Sequence, residues 1–182
     1  STAVATVGTS WTKDISIGTG EGTYSITAVA TDAYGTASAA STPLSLTIDN
    51  TPPAAPLVPD LDIADDSGSS WTDNITKNTT ALTFSGTAEI NSTVRLYRDG
   101  VAVGTATPVI GTNYSIDISL ANGGPYTITA VTTDLAGNAG TASAGLSVTI
   151  DTGLPAAPLA PDLATTDDTG TSSTDNITNA PA

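Results

Sequence analysis

The residues of this chain best suited to chemistry are paired aspartates. Asp65 and Asp66 are adjacent, and Asp73 opens the run Asp73-Asn-Ile-Thr76 seven residues further on. The same order returns as Asp167 and Asp168, with Asp175 opening Asp175-Asn-Ile-Thr178. Adjacent carboxylates repel one another unless a cation or hydrogen-bond donors offset the charge. Short carboxylates in loops, joined by carbonyls and waters to make about six to eight oxygens, are what a hard cation such as calcium requires. The same residues also suit a metal-free role, a solvated turn whose aspartates cap local amides. The spacing fits neither the twelve-residue EF-hand loop nor the glycine-rich nonapeptide of calcium-binding β-helices. Any site must therefore be assembled from separate loops.

Composition narrows the alternatives. Of 182 residues 18 are acidic and four basic, a formal net charge of −14. That balance argues against nucleic acid or an anionic membrane surface as partner. All the acidic residues but Glu21 and Glu89 are aspartate, which favours turns and caps over helix interiors. There is no Cys and no His, which removes disulfides, thiolate and imidazole metal ligands and the commonest general base. Ser and Thr are abundant, but no His activates them, and no Gly-x-Ser-x-Gly elbow or phosphate loop occurs. Paired carboxylates could serve a glycosidase, yet 4% aromatic residues can hardly line its cleft. The expectation is a protein that is not an enzyme. No run of about eighteen apolar residues occurs, so no membrane insertion is expected.

The elements that hold these aspartates repeat. Ala54–Thr76 returns at Ala156–Thr178, an offset of 102 residues. Tyr24–Asp32 matches Tyr126–Asp134, and Leu46–Asp49 matches Val148–Asp151, at the same offset. Gly8–Trp11 aligns with Gly111–Tyr114 at 103. The repeats divide the chain into residues 1–50, the C-terminal half of a module; 51–151, a complete module; and 152–182, a linker and the start of a third. The chain then begins and ends inside modules, either as a segment of a longer protein or with neighbouring chains completing the half-modules.

Within the complete module, short alternating runs of Thr, Ser, Ala, Val and Ile, broken by Gly, Asn, Asp and Pro, read as β-strands. Seven are predicted: Leu61–Ala64, Ala81–Ala88, Thr93–Tyr97, Val101–Thr107, Asn113–Ile118, Tyr126–Thr133 and Leu146–Ile150. Asp99-Gly100 suits a hairpin turn with positive φ. Phe84, Leu96, Ile116, Ile128, Val131 and Val148 are the candidate core. About 100 residues and seven strands fit an all-β, immunoglobulin-like sandwich, here without the Cys pair and buried Trp of antibody domains. Trp11, aligned with Tyr114, is expected to pack, and Trp71 to pack at the joint. Pro52, Pro53, Pro56 and Pro59 are expected to stiffen the joint as extended polyproline. Asp14 and Asp117, at matching positions, are candidates for a second, weaker ion site, and Asp99 reads as structural.

The runs FSGTAEINSTVRLYRDG, YSIDI, GGPYTITAVTTDLAGNAG and SVTIDT resemble the bacterial Ig-like tandem repeats of giant calcium-binding surface adhesins exported by type I secretion. The resemblance covers all 182 residues. It implies several calcium ions at the module junctions, held by aspartates of the connecting loops. The matching positions at the first junction are Asp62, Asp65, Asp66 and Asp73, with Asp32 and Asp49 of the preceding module. At the second they are Asp167, Asp168 and Asp175, with Asp134, Asn138 and Asp151. The first module departs from the pattern, with Thr36 where the second has Asn138, and Ala164 stands at the position of Asp62.

The resemblance also implies a role. The chain would be a secreted stalk segment on the bacterial cell surface, serving adhesion or biofilm formation. Its partners would be the neighbouring modules and, through a distal tip outside this chain, a host or surface receptor. Two other readings stay open. One is a filament or surface-layer subunit that self-associates through its incomplete terminal modules. The other is a module that itself binds carbohydrate, protein or ice.

Overall fold

The computed structural model describes residues 11–18 and 20–179. Gly8–Ser10 of the upstream alignment lie outside the described residues. Those described contain ten strands and no helix. They are β1 (Gly22–Ile26), β2 (Leu44–Ile48), β3 (Asp60–Leu61), β4 (Ile75–Thr76), β5 (Leu82–Thr87), β6 (Thr93–Arg98), β7 (Val101–Pro108), β8 (Asn113–Ile118), β9 (Gly123–Thr133) and β10 (Leu146–Ile150).

The complete module is a two-layer sandwich. One sheet has five strands in the order β4-β10-β9-β6-β7, the other three in the order β3-β5-β8. Between them lie Leu82, Phe84, Val94, Leu96, Ile128 and Ala130, all fully buried. Of the expected core only Val131 departs from plan. In β9 the buried positions are Ile128, Ala130 and Thr132, so the pleat turns Val131 to the opposite face. The β6–β7 hairpin turns at Asp99 and Gly100, both with positive φ (51° and 81°), as Asp-Gly promises.

The first strand of the sandwich is split between the sheets. β3 pairs antiparallel with β5, whereas β4 pairs parallel with β10. The sequence reading missed β4. It contains only two residues, and its neighbours are loop formers, so no alternation could reveal it. The segment that crosses from β3 to β4 carries Asp62, Asp65, Asp66 and Asp73.

Pro53, Pro56 and Pro59 are all buried, one residue in three. Polyproline II has three residues per turn, so one edge of such a helix faces the same surface throughout. Leu57 N–H donates to the Thr87 carbonyl, which holds this segment alongside β5. These prolines are thus part of the complete module's wall, and the free part of the joint is shorter than the sequence suggested. Residues 152–182 form a separate compact unit.

Among its described residues the upstream segment forms the β1–β2 hairpin, paired from Gly22↔Ile48 to Ile26↔Leu44. Leu44 and Val29 are exposed there. Trp11 is 56% exposed, whereas its counterpart Tyr114 is buried at 3%. In the complete module Tyr114 lies across from Gly86, whose missing side chain makes room for the phenol: a Cβ there would come within 2.6 Å of the hydroxyl. Trp11 has no such opposing strand among the described residues. Trp71 is 69% exposed, so it does not pack at the joint as expected.

Burial pushes the Tyr114 hydroxyl up to about 12, and that hydroxyl has no hydrogen-bond partner. A raised phenol pKa contributes stability that is complete below about pH 10, the unfolded value, and lost as pH climbs toward 12. Tyr114→Phe is therefore expected to leave the melting temperature at pH 7 unchanged or slightly raised. It should also flatten the fall in stability between pH 10 and 12, as read by denaturant melts at each pH.

Candidate metal centre and module joint

The loop between β3 and β4 is built from its aspartates. Asp62 N–H donates to the Thr83 carbonyl, and the Asp65 and Asp66 N–H groups both donate to the Asp62 carbonyl, closing a turn. Asp65 Oδ2 accepts from Thr83 N–H at 2.9 Å, which fixes the loop to the three-stranded sheet. Asp66 Oδ2 accepts from Asn74 N–H at 3.1 Å. The Asn74 carbonyl in turn accepts from Thr149 N–H, at the five-stranded sheet. Asn74 has φ 57°, a left-handed conformation that Asn tolerates better than most residues. Asp62 and Asp73 each cap the amide two residues on, those of Ala64 and Ile75.

One oxygen is left over. Asp66 is 2% exposed, and its Oδ1 is buried without a hydrogen-bond partner. The only ion pair among the described residues joins Arg98 and Asp99, so no basic side chain compensates Asp66. A buried, half-satisfied carboxylate costs more than the about 1–3 kcal/mol of an unsatisfied neutral group.

The second copy folds the same way. Asp167 and Asp168 N–H groups donate to the Ala164 carbonyl, Asn176 N–H donates to Asp168 Oδ2 at 3.2 Å, and Asp175 caps Ile177. Asp168 is 5% exposed, and its Oδ1 is again buried and unpartnered. Ala164 supplies only its carbonyl here, which explains why it can replace Asp62.

The remaining candidates lie elsewhere. Along β9, Gly123 pairs with Ile150 at one end of the module, and Thr133 leads into Asp134 at the other. Ten residue steps of strand, about 33 Å, separate those ends. Asp134 and Asn138 therefore lie at the opposite end of the module from Asp151, and also from Asp65, Asp66 and Asp73, whose loop meets Asp151 where its N–H donates to the Thr76 carbonyl. The same logic applies to β1 and β2, where Gly22 pairs with Ile48 beside Asp49 while Asp32 lies well beyond Ile26. Asp32 and Asp49 do not share an end. The junction groupings expected from the resemblance are thus corrected: each aspartate belongs to one end of its own module. Among the described residues no three carboxylates converge to hold a metal by themselves.

At the first joint the structure brings Asp49 to Asp134 and Asn138. Asn138 Nδ2 donates to the Asp49 carbonyl at 3.0 Å and to Asp134 Oδ2 at 2.9 Å, and its N–H donates to Asp134 Oδ1. The Asn138 side chain, then backbone amides of the turn, hold the Asp134 carboxyl below the usual range. Asp32 instead caps Tyr34 and Thr36 within its own turn, and Asp49 caps Thr51. Asp117 bonds Thr83 Oγ1, Asp14 is exposed outside any strand, and Asp99 caps Thr127, a structural role.

A family model of the bacterial Ig-like domain matches residues 53–152, more than half of the chain. The chain belongs to the bacterial Ig-like domain family. The matched segment begins at the first buried proline. Two solved structures are similar at low identity. A biofilm-associated protein BSP domain is 17% identical, with a TM-score of 0.38, over 74% of this chain and 20% of that one. The fibronectin(III)-like modules of Clostridium thermocellum CbhA are 16% identical, with a TM-score of 0.36, over 71% of this chain and 64% of theirs. This chain thus spans about a fifth of the first protein's length and under two thirds of the second's. No curated protein matches it.

The loop leaves little slack. A Cβ on Gly68 would lie 2.8 Å from the Ile75 carbonyl, and one on Gly170 2.8 Å from that of Ile177. Gly68→Ala should cost about 1–3 kcal/mol by overpacking. That corresponds to a melting temperature lower by several degrees for the complete module, on the order of 4–8 °C per kcal/mol. An unchanged calorimetric melt would mean the loop is looser than its hydrogen bonds describe.

Proposed function

We propose that this chain is a stalk segment of a bacterial cell-surface adhesin, in which Ig-like modules stacked end to end hold a distal binding tip away from the cell. Calcium rigidifies the stalk. One ion sits in the Asp62–Thr76 loop with Asp66 Oδ1 as a ligand, and another sits in the copy with Asp168 Oδ1.

The observation that carries this reading is the orphaned, buried carboxylate oxygen, which occurs in both copies of the loop. A hard divalent cation is the partner whose chemistry suits an uncompensated carboxylate among backbone and hydroxyl oxygens. The same loop carries the carboxylates of Asp65 and Asp73. When bound, calcium neutralises the buried charge and ties together the segment that crosses between the sheets. Asp134 and Asp32 suit the other part of the earlier expectation, the metal-free cap: turn amides bond Oδ1 of each, and the Asn138 side chain bonds Asp134 Oδ2.

The exposed apolar hairpin β1–β2 favours a second reading, self-assembly by mutual completion of half-modules. For a carbohydrate-binding role, the groove lined by Ala81, Val103, Gly104, Asp117, Ile118 and Ser119 offers no aromatic ring.

A ligand that binds only the folded state at 100 times its Kd adds about 2.7 kcal/mol. The melting temperature of the complete module should therefore rise on the order of 10–20 °C between chelator and excess calcium. Asp66→Asn keeps an acceptor for Asn74 while removing the charge. It should match or exceed the wild-type chain in chelator and lose most of the calcium-dependent rise. A rise that Asp66→Asn leaves intact, or no rise at all, contradicts the proposed site.

A further inference from the structure

The joint at Asp49–Pro53 is held from both sides by residues that the neighbouring copies of the repeat do not have. On the upstream side, Glu21 Oε1 accepts from Asn50 N–H at 3.0 Å and from the Thr51 hydroxyl. Those two bonds, that of Thr51 first, hold the Glu21 carboxyl below its ordinary range. On the downstream side, Asn138 donates to the Asp49 carbonyl at 3.0 Å. Next to it Gly140 lets the chain approach so closely that a Cβ would come within 2.5 Å of the Pro53 carbonyl oxygen. That neighbour is backbone of a buried proline and cannot swing aside.

At the repeat offset of 102, Glu21 corresponds to Gly123, Asn138 to Thr36 and Gly140 to Ser38. Gly123 has no carboxylate with which to accept from a linker. Thr36 has no amide donor and a shorter reach than Asn138. Ser38 places a Cβ where Gly140 has none. The turns themselves are nevertheless the same. Thr36 N–H donates to Asp32 Oδ1 as Asn138 N–H does to Asp134 Oδ1, and Ser38 N–H donates to the Ala30 carbonyl as Gly140 N–H does to that of Thr132. The substitutions keep these backbone hydrogen bonds of the turn, lose the Asn138 Nδ2 bond to Asp134 Oδ2, and alter the surface offered to an arriving linker.

We propose that Glu21, Asn138 and Gly140 form a joint-specific docking site for the linker Asp49–Pro53, one that works without metal and sets which joints of the array are rigid. The surface at the Asp134–Gly140 end recognises an extended segment that presents a free carbonyl at the Asp49 position and a close-packed proline carbonyl four residues on. A module carrying Thr and Ser at the positions of Asn138 and Gly140 does not take its linker in this way, and the joint it forms is a hinge. An array of such modules is then not uniformly stiff, because its bending points are written residue by residue.

The chain provides its own replacements for the test. Glu21→Gly, Asn138→Thr and Gly140→Ser each install the residue found at the equivalent position. Amide hydrogen exchange of the full chain, in chelator throughout, would be followed over the linker 49–55 and separately over the Asp134 turn. Loss of a hydrogen bond to a charged acceptor should speed exchange of the Asn50 amide about tenfold in Glu21→Gly. Linker exchange should also rise in Asn138→Thr and Gly140→Ser, while the backbone amides of the Asp134 turn exchange as in the wild-type chain; the melting temperature of the complete module should hold in Glu21→Gly and fall in Gly140→Ser, whose Cβ meets the Pro53 backbone. Unchanged linker exchange in Gly140→Ser overturns the proposal, and so does loosening of the linker that appears only together with loosening of the turn. Because no calcium is present, these outcomes are independent of whether the Asp66 loop binds it.

Discussion

The complete module depends on how its first strand changes sheets, and that crossing is held by two adjacent carboxylates. Asp65 bonds the Thr83 amide of β5, while Asp66 bonds the Asn74 amide just before β4. Between them they tie the three-stranded sheet to the five-stranded one at the end of the sandwich where Asp151 leaves it. This bracing places a full negative charge, that of Asp66, where water does not reach and no Lys or Arg pairs with it. A buried carboxylate with one oxygen used and one idle is an incomplete arrangement. Beside it the Thr76 hydroxyl donates to the Asp65 carbonyl and shares a hydrogen bond with Ser67, in a turn that Gly68 keeps tight. The structural and the proposed calcium-binding roles thus rest on the same residue.

Much of this was legible in the sequence, and the failures have physical causes. The 102-residue offset located the modules, and the two-residue alternation in β9 located most of the core, because both depend only on local order. Val131 was misassigned because an alternating run has two faces, and hydrophobicity alone did not say that Thr132 would be the buried one. β4 escaped because a two-residue strand paired in parallel leaves no pattern. The grouping of the aspartates failed for a different reason. The resemblance implied that Asp49 and Asp62–Asp73 meet at one joint. Instead the segment from Pro53 to Leu61 runs along the sandwich wall, about 25 Å of extended chain, and delivers the acidic loop to the far end. What meets Asp49 is the turn at Asp134–Asn138, more than eighty residues away in the chain.

The prolines show how one feature can be read correctly as conformation and wrongly as location. Their spacing by three does produce a polyproline edge, with Pro53, Pro56 and Pro59 buried together. They stiffen the module's first wall, and by doing so they shorten the joint to a few residues around Asn50 and Thr51. A joint that short can be controlled by single contacts. The difference between Asn138 and Thr36, visible in the sequence only as a departure from a repeat, therefore acquires mechanical meaning: the acidic loop braces the exit end of the complete module, and Glu21 and Asn138 bond the linker that enters it.

The most direct measurement is equilibrium dialysis of the full chain against calcium after chelator treatment. Two saturable sites per chain are expected, one for each acidic loop, with Asp66→Asn retaining only the one at Asp168. Absence of saturable binding, or a stoichiometry that Asp66→Asn does not change, would contradict the assignment of calcium to these loops.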